Sequence, residues 1–176
     1  ILKDQNCYII SDEVYEHMTF DGKEHQSFAR IPSLKERTFI TASFGKLCHV
    51  TGWKVGYVLA GAELMKEFRK VHQFNVFCVH TPSQYAIADY LDDENNYLEL
   101  NDFFQQKRDY LTQGLSTTQF EIIPAEGTYF VSASYKNYSD TDDKTFAKQL
   151  TIENKVATIP FSAFYKDKLN ENVIRL

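Results

Sequence analysis

The sequence predicts an α/β fold in which a mostly parallel sheet with helices is followed by a small α+β domain. The first observation is an apolar, β-branched run at residues 7–11, which ends directly at Asp12 and has the composition of a buried parallel strand. The second is a pair of strand-like runs, at residues 36–41 and 53–60, with small turn-forming residues between them. The third is the acidic stretch 92–96, which marks a predicted boundary between a partial large domain, 1–96, and a small domain, 97–176.

Helical periodicity predicts two helices after these strands. Leu64, Phe68 and Val71 recur at helical spacing within residues 62–74. A further helix is predicted to begin at Pro82, because proline is favoured in the first turn of a helix. The apolar run between the two helices contains Phe77, for which we expect core packing rather than contact with a substrate.

The second half of the chain reads as a mixture of helices and short strands. A long helical pattern covers residues 97–115, and we expect it to pack Leu98, Phe103, Tyr110 and Leu111. Tyr129 lies in an alternating strand, so a place in the core is favoured over a catalytic role. The other predicted elements are strands at 120–124, 128–133, 156–160 and 172–175 and a helix at 141–150.

Composition excludes several classes of function. The net charge of −5 argues against a nucleic-acid partner or an anionic membrane surface, and no apolar run reaches the length of a membrane span. Cys7, Cys48 and Cys78 lack C-x-x-C spacing, which favours reduced thiols and a cytoplasmic protein. The five histidines show no paired ligand spacing, so no metal site is predicted.

Lys46 is the residue where we expect the chemistry of this chain. It is predicted to begin a loop between two strands, and a lysine that enters a pocket from a strand end loses hydration, which favours its neutral amine. A neutral amine can attack a carbonyl, as a Schiff-base lysine must. Ser43 and Lys54 flank it in sequence and could together hold an anion. The segment does not match a P-loop, because Leu47 stands where that motif needs a hydroxyl.

A second group of polar residues follows the first strand. Asp12 and Tyr15 come directly after the buried run, and ligands of open α/β sheets lie beyond the carboxyl ends of the strands. An acid, a phenol and an amine placed in this way match the needs of a pyridoxal cofactor, whose ring nitrogen requires a partner if the ring is to accept electrons.

Several ordered motifs resemble the class I and II pyridoxal-phosphate aminotransferases of fold type I, and among them the methionine and kynurenine aminotransferase branch. The motifs are S-D-E-V-Y-E-H from Ser11, S-F-G-K from Ser43, T-G-W-K-V-G-Y from Thr51, E-G-T-Y-F from Glu126, and I-R-L from Ile174. The resemblance covers nearly the whole chain and corresponds to the carboxyl-terminal half of such proteins. We therefore expect the sequence to be a fragment of a longer protein.

The resemblance implies a role for each candidate residue. Lys46 would bind the aldehyde of pyridoxal 5'-phosphate and carry the proton between substrate and cofactor. Asp12 would pair with the ring nitrogen, and Tyr15 would donate to the phenolic oxygen. Ser43 and Lys54 would bind the phosphate, although many relatives have arginine at the position of Lys54. Arg175 would bind the α-carboxylate of the substrate, because its planar fork matches a carboxylate.

The resemblance therefore predicts an aminotransferase that moves an amino group from an apolar, sulphur-containing or aromatic amino acid to a 2-oxo acid, in a homodimer. Two alternatives remain open. One is a carbon-sulphur β-lyase on the same fold. The other is an aminotransferase-like sensor domain of a transcription regulator, which the chain's negative charge does not support.

Overall fold

The chain folds into two compact units in a computed structural model that describes residues 1–2 and 4–176. Unit 1 comprises Ile1–Asn101 and unit 2 comprises Asp102–Leu176. Every described helix is too short or too polar to serve as a transmembrane segment.

Unit 1 contains a three-stranded sheet in the order β1 (Ile9–Asp12), β2 (Thr38–Ser43) and β3 (Gly56–Leu59). β1 and β2 are parallel, whereas β2 and β3 are antiparallel. The prediction of a mostly parallel sheet therefore holds for one pairing and fails for the other in the described residues. The reason is the connection 44–55, which contains one α-helical turn, one 3-10 turn at Thr51–Trp53, and no helix long enough to return the chain to the start of the sheet.

The longer helices of unit 1 follow β3 along the chain. The helix predicted at 62–74 is α2 (Ala62–Asn75), and the helix predicted from Pro82 is α3 (Thr81–Leu91). The long pattern predicted at 97–115 is divided into α4 (Asn95–Leu98) and α5 (Leu100–Leu115), and α5 crosses from one unit into the next. The short helix that precedes β3, α1 (Phe44–Leu47), belongs to the candidate site.

Unit 2 contains a four-stranded antiparallel sheet and the helix Asp143–Asn154, in addition to most of α5. In chain order its elements are β4 (Glu121–Ile123), β5 (Ser132–Ser134), α6 (Asp143–Asn154), β6 (Ile159–Pro160) and β7 (Val173–Arg175), and the strand order is β4-β5-β7-β6. Tyr135 and Phe146 stack with ring centroids 3.9 Å apart, and Ile174 completes this buried cluster. The stacked rings attach α6 to the sheet by burying a large apolar area.

Several side chains that were expected to pack are exposed, and that expectation is wrong. Phe77 is 80% exposed and Tyr110 is 82% exposed, whereas the buried side chain at the start of α5 is Leu100. Helical spacing identifies side chains that share a face, but it does not show whether another element covers that face. The other exposed members of this set are Leu98, Phe103, Leu111 and Tyr129.

A buried carboxylate fixes the chain where it leaves β1. Glu13 is 5% exposed, and its carboxylate accepts hydrogen bonds from the Ser11 hydroxyl at 3.0 Å and the Phe28 amide at 3.1 Å. Its other oxygen lies 2.9 Å from Nε2 of His25. The Glu13 amide in turn donates to the carbonyl of Thr41 on β2, at 2.8 Å. Glu13 therefore ties three chain segments together beside Asp12.

The hydrogen bonds determine the pKa of Glu13. Burial alone would raise this pKa, but hydrogen bonds from His25, Ser27, the Phe28 amide and Ser11 together lower it below the ordinary value of 4.5. The folded state therefore favours the ionised form.

β2 and β3 approach each other closely at Gly56. Gly56 pairs with Ser43, and a Cβ atom on Gly56 would lie 2.5 Å from the carbonyl oxygen of Ala42. This separation is shorter than any normal van der Waals contact, so a side chain at Gly56 requires the strands to move apart.

Glu13→Gln should remove part of the acid sensitivity of folding. Because the pKa of Glu13 is lower in the folded protein, the unfolded state binds more protons in the acid range. The stability that Glu13 contributes is fully present above pH 4.5 and is lost as the pH falls through the folded value. Urea unfolding from pH 7 to 3 should show Glu13→Gln less stable by about 2 kcal/mol at neutral pH, with the two profiles converging in acid.

The control for this experiment is Glu24→Gln. Glu24 forms an exposed ion pair with Arg30 at 2.9 Å, and such pairs contribute little. Profiles of wild type and Glu13→Gln that stay parallel from pH 7 to 3 would contradict the role given to Glu13.

Gly56→Ala should lower the free energy of unfolding by about 2 kcal/mol, because the added methyl group collides with the backbone of β2. Gly52→Ala is the matched control, since a Cβ atom there meets nothing within 4 Å. Equal denaturant midpoints for the two variants would show that the close approach of β2 and β3 does not restrict the residue at position 56.

Candidate active site

Asp12 and Ser43 lie at the same edge of the sheet in unit 1. They end β1 and β2, which are parallel, and Asp12 pairs with Thr41. Because paired residues share a face and alternate residues return to it, Asp12, Thr41 and Ser43 lie on one face. The Asp12 side chain is exposed and accepts a hydrogen bond from the Val14 amide at 3.2 Å. This arrangement directs a carboxylate and a hydroxyl toward the same region.

Tyr15 is held in the turn that follows β1. The Glu16 amide donates to the Glu13 carbonyl at 3.0 Å, and the Met18 amide donates to the Tyr15 carbonyl at 2.9 Å. The Tyr15 side chain is half-buried. Since Asp12 precedes this turn directly, the acid and the phenol leave the same strand end.

Lys46 lies in a helical turn, where the sequence predicts a loop. The prediction is wrong in that detail because Ser43 caps α1: its hydroxyl oxygen accepts a hydrogen bond from the Gly45 amide at 3.1 Å. Gly45 is buried, and a Cβ atom there would lie 3.0 Å from Cα of Thr51. The Lys46 side chain is half-buried. Its position is therefore set by a capped turn and not by a mobile loop.

The loop that carries Lys54 folds back onto Ser43. The carbonyl of buried Val55 accepts hydrogen bonds from the Phe44 amide at 3.1 Å and from the Ser43 hydroxyl at 3.4 Å. Lys54, the neighbour of Val55, is exposed and has left-handed backbone angles, φ 58° and ψ 39°. A non-glycine residue in this region is uncommon and points to a local constraint. The backbone at Lys54 is thus held next to the residue that hydrogen-bonds to Ser43, the serine that caps the helix of Lys46.

The chemistry of these five side chains fits pyridoxal 5'-phosphate. An amine can react with its aldehyde, a carboxylate can pair with its ring nitrogen, and a phenol can donate to its phenolic oxygen. A hydroxyl and a second cation can bind its phosphate. The structure brings Asp12, Tyr15, Ser43, Lys46 and Lys54 to one edge of the sheet in unit 1.

Arg175 belongs to unit 2. It ends β7 and pairs with Ser132 on one side and Ile159 on the other. Its guanidinium carbon lies 4.5 Å from the ring centroid of Phe130 and 4.9 Å from that of Phe164.

Sequence reasoning did not assign roles to two acids near the site, Glu13 and Glu16. Glu16 accepts a hydrogen bond from the hydroxyl of Tyr57 on β3. Burial, this hydrogen bond and the nearby negative charge of Glu16 all raise the pKa of Tyr57, so it remains a neutral donor. Burial lowers the pKa of neighbouring His17 despite the charge of Glu16. No local signal marks Glu13 as buried, because its partners His25 and Phe28 are distant in sequence. The strand before it was predicted to be buried, but that prediction is wrong, since Ile10 is 75% exposed.

Comparison with known proteins supports the resemblance seen in the motifs. A family model described as Aminotransferase class I and II matches residues 1–176. A methionine aminotransferase from Escherichia coli is 48% identical over 170 residues, which are 96% of this chain and 44% of the relative. A kynurenine–oxoglutarate transaminase from Dictyostelium discoideum is 38% identical over 97% of this chain and 44% of the relative.

Solved structures of aminotransferases also resemble this chain. The crystal structure of YbdL from Escherichia coli, described as having a methionine aminotransferase function, superimposes with a TM-score of 0.94 and 46% identity, over 98% of this chain and 46% of that one. The N-succinyldiaminopimelate aminotransferase from Mycobacterium tuberculosis gives a TM-score of 0.89 and 34% identity, over 97% and 45%.

The chain spans less than half the length of these relatives. Their shared fold is that of the fold type I aminotransferases, with α/β content. Since the family match runs from residue 1 to residue 176, the chain belongs to aminotransferase class I and II, a family of enzymes that depend on pyridoxal 5'-phosphate.

Proposed function

We propose that the protein containing this chain is an aminotransferase that moves an amino group from an amino acid to a 2-oxo acid. The observation that carries the proposal is the convergence of Lys46, Asp12 and Ser43 at one edge of the sheet in unit 1. Family membership supports the same reaction class.

Lys46 would bind the cofactor covalently and then act as the base that moves a proton at the substrate α-carbon. The bound cofactor supplies an electron sink for that proton transfer. Asp12 would hold the ring nitrogen in its protonated form, because a neighbouring carboxylate favours the positive charge. Tyr15 would orient the ring by donating to its phenolic oxygen.

Ser43 and Lys54 would bind the phosphate. The Ser43 hydroxyl contacts the Val55 carbonyl at 3.4 Å, a weak hydrogen bond, so its proton can be redirected to a phosphate oxygen at little cost. Lys54 supplies a point charge, which attracts the phosphate without the fork geometry that arginine would add.

Arg175 would bind the α-carboxylate of the amino acid. Methionine, aromatic or other apolar amino acids are the proposed donors, and the names of the methionine and kynurenine relatives support this class. A requirement for a 2-oxo acid acceptor separates this reaction from β-elimination.

The proposed setting is a cytoplasmic homodimer. Exposed Phe74, Phe77 and Tyr85, at 87%, 80% and 70%, support an apolar surface for a partner, and free Cys7, Cys48 and Cys78 support a reducing compartment. Residues 1–96 would be part of the large cofactor-binding domain and 97–176 part of the small C-terminal domain. The division into two compact units supports this arrangement.

Lys46→Ala should abolish transamination in the intact protein, by at least about a thousandfold, because it removes both the cofactor link and the proton carrier. The visible absorbance of the bound cofactor should shift at the same time. Lys35→Ala, which removes an exposed lysine outside the site, should leave both unchanged. Survival of activity and absorbance in Lys46→Ala would overturn the assignment.

Lys54→Met should weaken binding of pyridoxal 5'-phosphate by about tenfold, since it removes a charge-assisted contact but keeps most of the side-chain volume. Lys54→Arg should restore binding, and Lys66→Met, on the exposed surface of α2, should have no effect. Fluorescence titration with the cofactor measures each affinity. Equal affinities for Lys54→Met and wild type would exclude Lys54 from the phosphate site.

A further inference from the structure

Arg175 contacts two aromatic rings. Its guanidinium carbon lies over the rings of Phe130 and Phe164, at 4.5 and 4.9 Å from their centroids. Within the described residues of unit 2, no acidic side chain forms an ion pair with Arg175. A guanidinium has five N–H donors, and ring faces attract its charge without occupying those donors as a carboxylate would.

The placement of Arg175 follows from strand alternation. Ile174 is fully buried in the cluster with Tyr135 and Phe146. The next residue on β7 points to the opposite face of the sheet. The half-buried Arg175 side chain therefore lies on the face opposite the cluster that contains Ile174.

Phe164 is not explained by core packing, because its side chain is 56% exposed. It ends the 3-10 turn Phe161–Phe164, and that turn is firmly anchored. Asp143, 1% exposed, accepts hydrogen bonds from the Ser162 amide at 2.6 Å and from the Ser162 hydroxyl at 2.7 Å. Charge-assisted hydrogen bonds in a buried position are strong, so the start of α6 holds the turn in place.

We propose that Phe164 is a positioning residue for Arg175, and that Asp143 and Ser162 fix the turn from which it acts. This proposal rests on the proposed role of Arg175 in binding the substrate carboxylate. Arginine has many rotamers, and ordering them opposes ligand binding. The ring of Phe164, together with that of Phe130, restricts the guanidinium before substrate arrives, and the N–H donors remain available for a bidentate carboxylate.

The test replaces Phe164 in the intact, cofactor-loaded protein. Phe164→Leu removes the ring but keeps an apolar side chain, and it should raise KM for L-methionine about fivefold with kcat nearly unchanged. Phe164→Tyr retains the ring face and should behave like wild type. Equilibrium binding of 3-(methylthio)propanoate, which carries the carboxylate and thioether of methionine but no amino group, should weaken by the same factor.

Phe103→Leu is the matched control. Phe103 is 46% exposed and lies under Lys107, with the ammonium 4.5 Å from the ring centroid, so this substitution removes the same type of contact elsewhere in unit 2. It should leave KM unchanged. Urea midpoints should identify any variant that fails to fold. If Phe164→Leu fails to fold, Phe164→Met replaces it as the variant without a ring, and it is compared with Phe164→Tyr.

A double-mutant cycle separates this proposal from its foundation. Arg175→Lys should raise KM by itself. Adding Phe164→Leu to Arg175→Lys should raise KM little further, because the ring acts through the guanidinium. If Arg175→Lys leaves KM unchanged, the proposed carboxylate site fails and this inference fails with it. If Arg175→Lys raises KM while Phe164→Leu matches Phe103→Leu, the positioning role alone is wrong. The positioning role would also be overturned if Phe164→Leu raised KM more for L-phenylalanine or L-methionine than for L-alanine. Such a difference would mean that Phe164 contacts the substrate side chain.

Discussion

The carbonyl of Val55 closes the loop on which the candidate site depends. It accepts hydrogen bonds from the Phe44 amide and the Ser43 hydroxyl, and it can do so because Gly56 lets β3 approach β2 without a side chain between them. This closure leaves Ser43 at the amino-terminal end of α1, where it caps the helical turn that carries Lys46. It also holds Lys54 in a left-handed conformation beside the same serine. A short, glycine-containing segment therefore fixes a hydroxyl and the backbone that carries two lysines.

The sequence predicted the position of those site residues that directly follow a predicted strand. Strand composition and the residues that follow each strand were enough to predict that Asp12 and Lys46 lie at strand ends, because parallel strands meet at a common edge. The roles of Ser43, Lys54, Tyr15 and Arg175 came from resemblance, and they stay predictions. The capped turn at Lys46 was not expected, although serine is a favoured residue at the start of a helix.

The remaining features depend on residues that are distant in sequence. Glu13 is anchored by His25 and Phe28, and Asp143 by Ser162, so no local pattern predicts that either acid is buried. The antiparallel pairing of β3 was missed for a different reason: composition identifies a strand but not its direction. The prediction that Phe77 and Tyr110 are packed failed because both are exposed. Periodicity does not show which apolar faces are covered by another element of the chain.

The charge of the chain bears on how it could bind its ligands. A phosphate-bearing cofactor and an amino-acid carboxylate are anions, whereas the net charge of the chain is −5, so this net charge does not itself favour their approach. The proposed binding therefore relies on contacts at short range, and these are strongest when the donors are ordered before the ligand arrives. In the proposed sites, the two units would order their donors by different means. In unit 1 hydrogen bonds to the backbone fix Ser43 and the segment beside Lys54, whereas in unit 2 two aromatic rings contact the guanidinium of Arg175. Backbone closure suits a tetrahedral phosphate, which can accept hydrogen bonds from many directions. Ring contacts suit a planar guanidinium, whose orientation decides whether both carboxylate oxygens are bound.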